Sequence, residues 1–197
     1  SDFVELVGLH RLRLEMVAIP AGTLSAGQSI RPFHLAKHEV TRALYQEVVG
    51  TLPTAHAEPM HPIAGISLEQ AEDFCRKLSK LTGKTHRLPT DAEWEHACRA
   101  GARGAYYWGD DPALFGDHGW ALENSAGASH RVGEKRPNAF GLHDMLGNVW
   151  ELTRDGNIAQ ERGGGFASSP VEECRCTARR AHVGAMDSGM RVAIGSS

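Results

Sequence analysis

"RLPTDAEWEHACRAG", residues 87–101, is the stretch on which the reading of the fold turns. Glu93 stands three positions after Thr90, so Thr90 is the N-cap and Glu93 completes a capping box behind Pro89. Trp94, Ala97 and Cys98 then share one helical face before Gly101 supplies a stop. The same grammar stands upstream in "SLEQAEDFCRKLSKLTG" (67–83): Ser67 caps, Gln70 sits three on, and Leu68, Ala71, Phe74, Cys75, Leu78 and Leu81 trace an apolar stripe to Gly83. A third, shorter unit follows Thr41 in "RALYQEVVG", where Leu44, Val48 and Val49 face inward and Gly50 ends the turn.

Outside these two or three helices the pattern is short strand and loop. "SDFVELVGLHRLRLEMVAIP" (1–20) alternates apolar and charged residues, which predicts a strand or two rather than a signal peptide. A Pro-Ala-Gly turn leads into a further strand, and "IRPFHLAKHEVT" (30–41) predicts another. After Gly101 the periodicity dissolves into aromatics spaced among Gly, Asp and Asn, as in ordered loops pinned by buried rings. The chain carries 22 glycines and 9 prolines, so turns are many. No repeat or linker composition divides it, which predicts a single α+β domain over 1–197.

Composition narrows the function. A net charge of −3 provides no basic field for phosphates, so nucleic acid is not an expected partner. No apolar run approaches the roughly 20 residues that span a bilayer, so membrane insertion is not expected. The sequence begins without an initiator Met, as an engineered piece or a mature fragment would, so targeting information is expected to have been cut away. Cys75, Cys98, Cys174 and Cys176 fit no CxxC spacing. The eleven histidines are scattered. His34 and His38 stand four apart on strand-like sequence, so the histidines are expected as satisfied loop and surface groups. No Ser-His-Asp set can be named, and "GGGF" is not a nucleophile elbow. Arg87, Arg162, Arg175, Arg179 and Arg191 are expected as structural forks, and Trp94, Trp108, Trp120 and Trp150 as core rings.

Seven segments, in order, resemble the formylglycine-generating enzyme, or sulfatase-modifying factor, family: "MVAIPAG" (16–22), "HEVTRALYQEVV" (38–49), "RLPTDAEWEHACRAG" (87–101), "YWGDD" (107–111), "PNAFGLHDMLGNVWEL" (137–152), "RGGGF" (162–166) and "GMRVAI" (189–194). The resemblance implies a C-type-lectin-like fold with helices on short, twisted antiparallel strands and much ordered loop. Catalytic members of that family hold copper on two cysteines. Matching their motif puts Ser168 and Val171 at those positions, and neither offers the soft thiolate that copper(I) takes, so copper is not expected. The resemblance further implies that Cys98 and Cys176 stand close, as a structural pair, and that Cys75, opposite the region of Val192, is a free buried thiol. It implies calcium on the carbonyls of Asp144, Gly147 and Val149 with the carboxylate of Glu151. The alternative for Glu151 is to cap amides or pair with an arginine. For a second calcium site only Asn124 aligns. The expected function is a non-catalytic module binding a protein or small-molecule ligand through Ser168, Ser169, Val171, Glu173, Cys174, His182, Met186 and Asp187. Its setting is either a sensor or regulatory part of a larger bacterial protein, such as one with a kinase domain, or a variable protein of a diversity-generating retroelement. The alternative is a metal-dependent oxidase of the formylglycine-generating or non-haem-iron sulfoxide-forming type.

Overall fold

A computed structural model describes residues 1–25, 27–53 and 58–195. The capping grammar is realised at all three helices. At α1 (Arg42–Val49) the Thr41 hydroxyl accepts from the Leu44 N–H at 3.2 Å, and Gly50 closes the helix at φ 93°. Both α2 (Leu68–Thr82) and α3 (Asp91–Arg99) carry complete capping boxes, Ser67 with Gln70 and Thr90 with Glu93. At the end of α3 the stop falls one residue earlier than expected, with Ala100 in the left-handed region at φ 45°.

The main sheet is built from β1 (Phe3–Val7), β2 (Leu12–Ile19) and β5 (Phe33–Ala36), with β6 (His86–Arg87) and β11 (Ala193–Gly195) beyond; β3 (Gly22–Thr23) and β4 (Ser29–Ile30) form a small hairpin of their own. Its order is β1-β2-β5-β11-β6, antiparallel throughout. Because successive strand residues point to opposite faces, this sheet separates two cores. Met16, Ala36 and Val192 face Tyr45, Phe74 and Leu78 of α1 and α2. Ile19, Leu35 and Ala193 face Trp94 of α3 and the loop residues Tyr106 and Leu142. Leu81, which the helical period places on the inner stripe, is 54% exposed, because the last turn of α2 runs clear of the core.

A second sheet combines β7 (Trp150–Asp155), β8 (Ile158–Arg162), β9 (Arg179–Ala181) and β10 (Ser188–Gly189) in the order β10-β7-β8-β9. Its two-residue β10 runs parallel to β7, an exception to the antiparallel expectation. The long stretch between α3 and β7 holds a 3-10 turn (Pro112–Leu114) leading into a short helix, α4 (Phe115–His118), and is otherwise loop. Rings pin it, but not all are core. Trp94 and Trp150 are buried, whereas Trp108 and Trp120 are half-buried and stack on His118 and His130 at 4.3 and 3.7 Å.

The turn entering β7 is the tightest backbone approach that positions the site. Gly147 has φ 83°, and a Cβ there would lie 2.2 Å from the Trp120 carbonyl oxygen. Gly147→Ala is therefore expected to cost roughly 3 kcal/mol in urea denaturation. Gly50→Ala, whose added Cβ meets nothing within 4 Å, should cost about 1 kcal/mol through its φ alone.

Candidate binding site

Beneath the site lies a buried ionic centre. Arg191, fully buried, grips Glu151 in a fork, Nε to Oε2 at 2.7 Å and Nη2 to Oε1 at 2.5 Å. Its remaining donors reach the carbonyls of Ala36 at 3.0 Å and His143 at 2.9 Å. The indole N–H of Trp94 donates to Glu151 Oε2 at 2.7 Å. Burial pulls the Arg191 pKa down, but the carboxylate of Glu151 outweighs it and holds the guanidinium above its usual range. A second buried arginine, Arg162, donates Nη2 to Glu95 at 2.7 Å and to the Cys176 carbonyl at 3.1 Å, its guanidinium over the Trp94 ring at 5.2 Å. Glu39 receives the Asn148 amide at 2.7 Å and the Val149 N–H at 3.2 Å. Burial, then the nearby carboxylates of Asp144 and Glu151, pushes Glu39 well up.

For the turn at 144–151, the arginine alternative describes Glu151: its oxygens are taken by Arg191 and Trp94 and it is 1% exposed. A divalent cation sharing that carboxylate would meet the guanidinium head-on, so this arrangement does not fit an ion on Glu151. The Asp144 side chain accepts from the Gly133 N–H at 2.7 Å, and its other oxygen is buried without a partner. No cluster of three or more His, Cys, Asp or Glu side chains fit to hold a metal occurs among the described residues. Asn124 is engaged within its own loop, accepting from Ala121 N–H and donating to the Gly119 carbonyl.

The residues from 162 to 190 divide into layers. Ser168 and Cys174 lie beneath the face rather than on it. Ser168 Oγ accepts from the Trp150 indole and from Gly165 N–H, both at 3.1 Å. Cys174 packs against Gly164, where a Cβ would come within 2.3 Å of its sulfur. Val171 and Met186 are outward, 45% and 85% exposed. Ser169 and Glu173 close their own turn, Ser169 N–H donating to the Glu173 carboxylate at 2.9 Å. His182 and Asp187 hold the loop between β9 and β10. His182 Nδ1 bonds Glu161 at 2.6 Å while its Nε2 accepts from Leu68 N–H at the start of α2 at 3.2 Å, and Asp187 pairs with Arg180 at 2.7 Å. Glu161, wholly buried, also takes Arg180 and the Ser188 hydroxyl, each at 2.5 Å. Next to this layer is a cavity of about 410 Å³ whose walls include His61, Gly65, Ala128, Phe166 and Met186, with the Arg42–Glu58 pair at its edge.

The acids Glu39, Glu95 and Glu161 are the partners that the sequence reading missed; for Glu95 and Glu161 the signal was the surplus of arginines needing buried carboxylates, and for Glu39, which takes Asn148 and the Val149 N–H, there was none. The histidines act mostly as pins: His96, His130 and His143 each bond a backbone carbonyl.

Fold and site thus define a C-type-lectin-like α+β scaffold with short loops carrying an exposed face. Residues 10–195 match the family model described as sulfatase-modifying factor enzyme 1-like domain, and the chain belongs to that family. It is 30% identical to the formylglycine-generating enzyme of Bos taurus over 59% of this chain and 33% of that protein. It is also 30% identical to the inactive Cα-formylglycine-generating enzyme 2 of Bos taurus, over 58% of this chain and 39% of that protein. The chain thus spans about a third of the length of these curated relatives. Among solved structures, Treponema denticola variable protein 1 superposes with a TM-score of 0.88 at 23% identity, covering 100% of this chain and 99% of that one. Among the described residues, no helix is long and apolar enough to cross a membrane.

The sulfurs of Cys98 and Cys176 lie 3.2 Å apart, both buried and reduced, and Cys75 is a free buried thiol that burial pushes up to about 12. Mild oxidation is expected to close the 98–176 bond and stabilise the chain by up to roughly 4 kcal/mol. Peptide mapping and denaturation check this; a bridge to Cys75 or Cys174 instead would count against it. Chelation should move the melting midpoint by less than about 2 °C, since Arg191 already neutralises Glu151. A larger drop, restored by calcium, would put the ion at this turn.

Proposed function

We propose that this domain is a non-catalytic binding module that captures a protein or small-molecule ligand at the face formed by residues 167–190. The observation that carries this reading is the state of Ser168. Where the resembling oxidases place a thiolate, this chain has a hydroxyl already committed to Trp150 and Gly165. Val171, at the other position, is an exposed aliphatic side chain, and Cys174 is sealed beneath the surface. Soft-metal redox chemistry has no ligand pair at those positions. The existence of an inactive relative of similar identity supports a scaffold that has been used without that chemistry.

The exposed apolar side chains of Leu122, Val171, Val183 and Met186 support recognition by shape. Of these, Met186 lines a cavity whose volume suits one inserted side chain or a small ligand. Of the two settings, the variable protein of a diversity-generating retroelement is favoured by the likeness in fold to a protein named as variable. The sensor or regulatory domain of a larger protein is the other. A reverse transcriptase gene beside an imperfect repeat of the last coding segment would decide for the first.

Two measurements test the binding reading. Incubation with copper(I), oxygen and a cysteine-containing sulfatase peptide is expected to yield no peptide aldehyde by mass spectrometry. Peptides selected from a display library on the folded domain are expected to lose roughly tenfold or more in affinity for Met186→Glu. Aldehyde formation, or selected binders indifferent to substitutions at 171, 183 and 186, would sink the proposal.

A further inference from the structure

We infer that the chain carries a second ligand site, apart from the 167–190 face: a groove along the C-terminal half of α2 that takes an amphipathic anion, a carboxylate headgroup on an apolar tail. The groove encloses about 580 Å³ between α2, β6 and the side chain of Arg154 on β7, within the roughly 300–1,000 Å³ usual for small-molecule sites. Its floor includes Cys75 and Leu88, each 5% exposed. Burial pushes the Cys75 thiol up to about 12, so it stays neutral and serves as a small apolar wall.

The rim is lopsided in charge. Arg76, Lys80, Arg87 and Arg154 face a single acid, Glu72. The four cations are not equally free. Arg87 is clamped by both oxygens of Glu93, at 2.6 and 2.7 Å, and Arg76 pairs with Asp73 on its own helix. Arg154 reaches Glu72 only at 3.5 Å. Lys80 has no ion-pair partner among the described residues and is exposed. A headgroup therefore falls to Lys80 and Arg154, while the methylene stems of the rim residues cover the tail. A cation would meet the same rim with repulsion, and a neutral chain would leave its charges unused. The groove is distinct from the proposed face. The end of α2 that touches His182 is Leu68, and Lys80 lies twelve residues along the helix, about 18 Å away.

The test uses the whole chain with sodium decanoate as probe, followed by amide chemical shifts, and decanol as its uncharged counterpart. Decanoate is expected to shift the amides of Cys75, Ser79 and Leu88 and not those of 165–187, with decanol binding roughly tenfold more weakly. The double variant Lys80→Glu, Arg154→Gln is expected to weaken decanoate about tenfold while the melting midpoint stays put, since Lys80 is exposed and Arg154, half-buried, gives up only a 3.5 Å contact with Glu72. Equal binding of decanol and decanoate by the native chain, an unaffected double variant, shifts confined to the other face, or no shift at about 1 mM overturns the inference. The native-chain comparison stands whether or not the variant folds, and it is independent of the outcome at the 167–190 face.

Discussion

The Glu151 carboxylate, held by Arg191 on one side and Trp94 on the other, is the contact on which the rest of the molecule depends. Three segments far apart in sequence meet on it: the α3 helix, strand β7 and the link between β10 and β11. Each contributes a group that is costly to bury alone. An unpaired guanidinium at that depth would be untenable, and so would an unpaired carboxylate; removing either partner of such a pair costs on the order of 3–5 kcal/mol. The pair fixes the depth and rotation of α3 against the second sheet. Arg162 on Glu95 places a second arginine–carboxylate pair at the next residue of the same helix and ties it to the backbone at Cys176. That tether brings Cys98 and Cys176 within 3.2 Å of each other.

From this frame the outward face acquires its rigidity. The loop from 181 to 187 has few apolar contacts of its own, yet it is not free. His182 accepts from the first amide of α2 through one ring nitrogen and engages Glu161 through the other. This requires the neutral tautomer with the proton on Nδ1, because a protonated Nε2 could not accept from Leu68. Arg180 then lies over the Trp150 ring at 4.3 Å and bridges Glu161 to Asp187. The side chains that look outward, Val183 and Met186, therefore ride on a backbone held by polar contacts beneath them. Their identity can change without disturbing the frame, as a recognition surface requires.

Much of this was legible in the sequence, and for definable reasons. Local grammar is written locally: a capping box needs only Ser67 and Gln70, or Thr90 and Glu93, so α1, α2 and α3 and their stops could be read to within a residue, whereas α4, which has no side-chain cap, was not. Alternation marked residues 1–20 as strand, but not that Met16 and Ile19 face different cores, because that depends on which elements cover each side of the sheet. Leu81 was misjudged since helical period says nothing about where the covering partner ends. The motif resemblance brought Cys98 and Cys176 together, a contact across 78 positions that no spacing rule reaches.

The site was less legible because its chemistry is set by partners, not residue types. Ser168 and Cys174 belong to the right segment, yet their side chains point inward: one spends its hydroxyl on Trp150 and Gly165, the other fills the space that Gly164 leaves. A serine or a cysteine in a loop reads as available until its neighbours in space are known. Glu39, Glu95 and Glu161 failed to register for the complementary reason. In sequence they look like ordinary surface acids, and only the buried donors converging on them reveal that they carry the scaffold. The same logic separates the two functional readings. In the loop that carries Val183 and Met186 the polar groups of Glu161, Arg180, His182, Asp187 and Ser188 are consumed in holding the backbone, and the side chains left facing water there are aliphatic. That division is what the proposed capture of a partner at this face draws on.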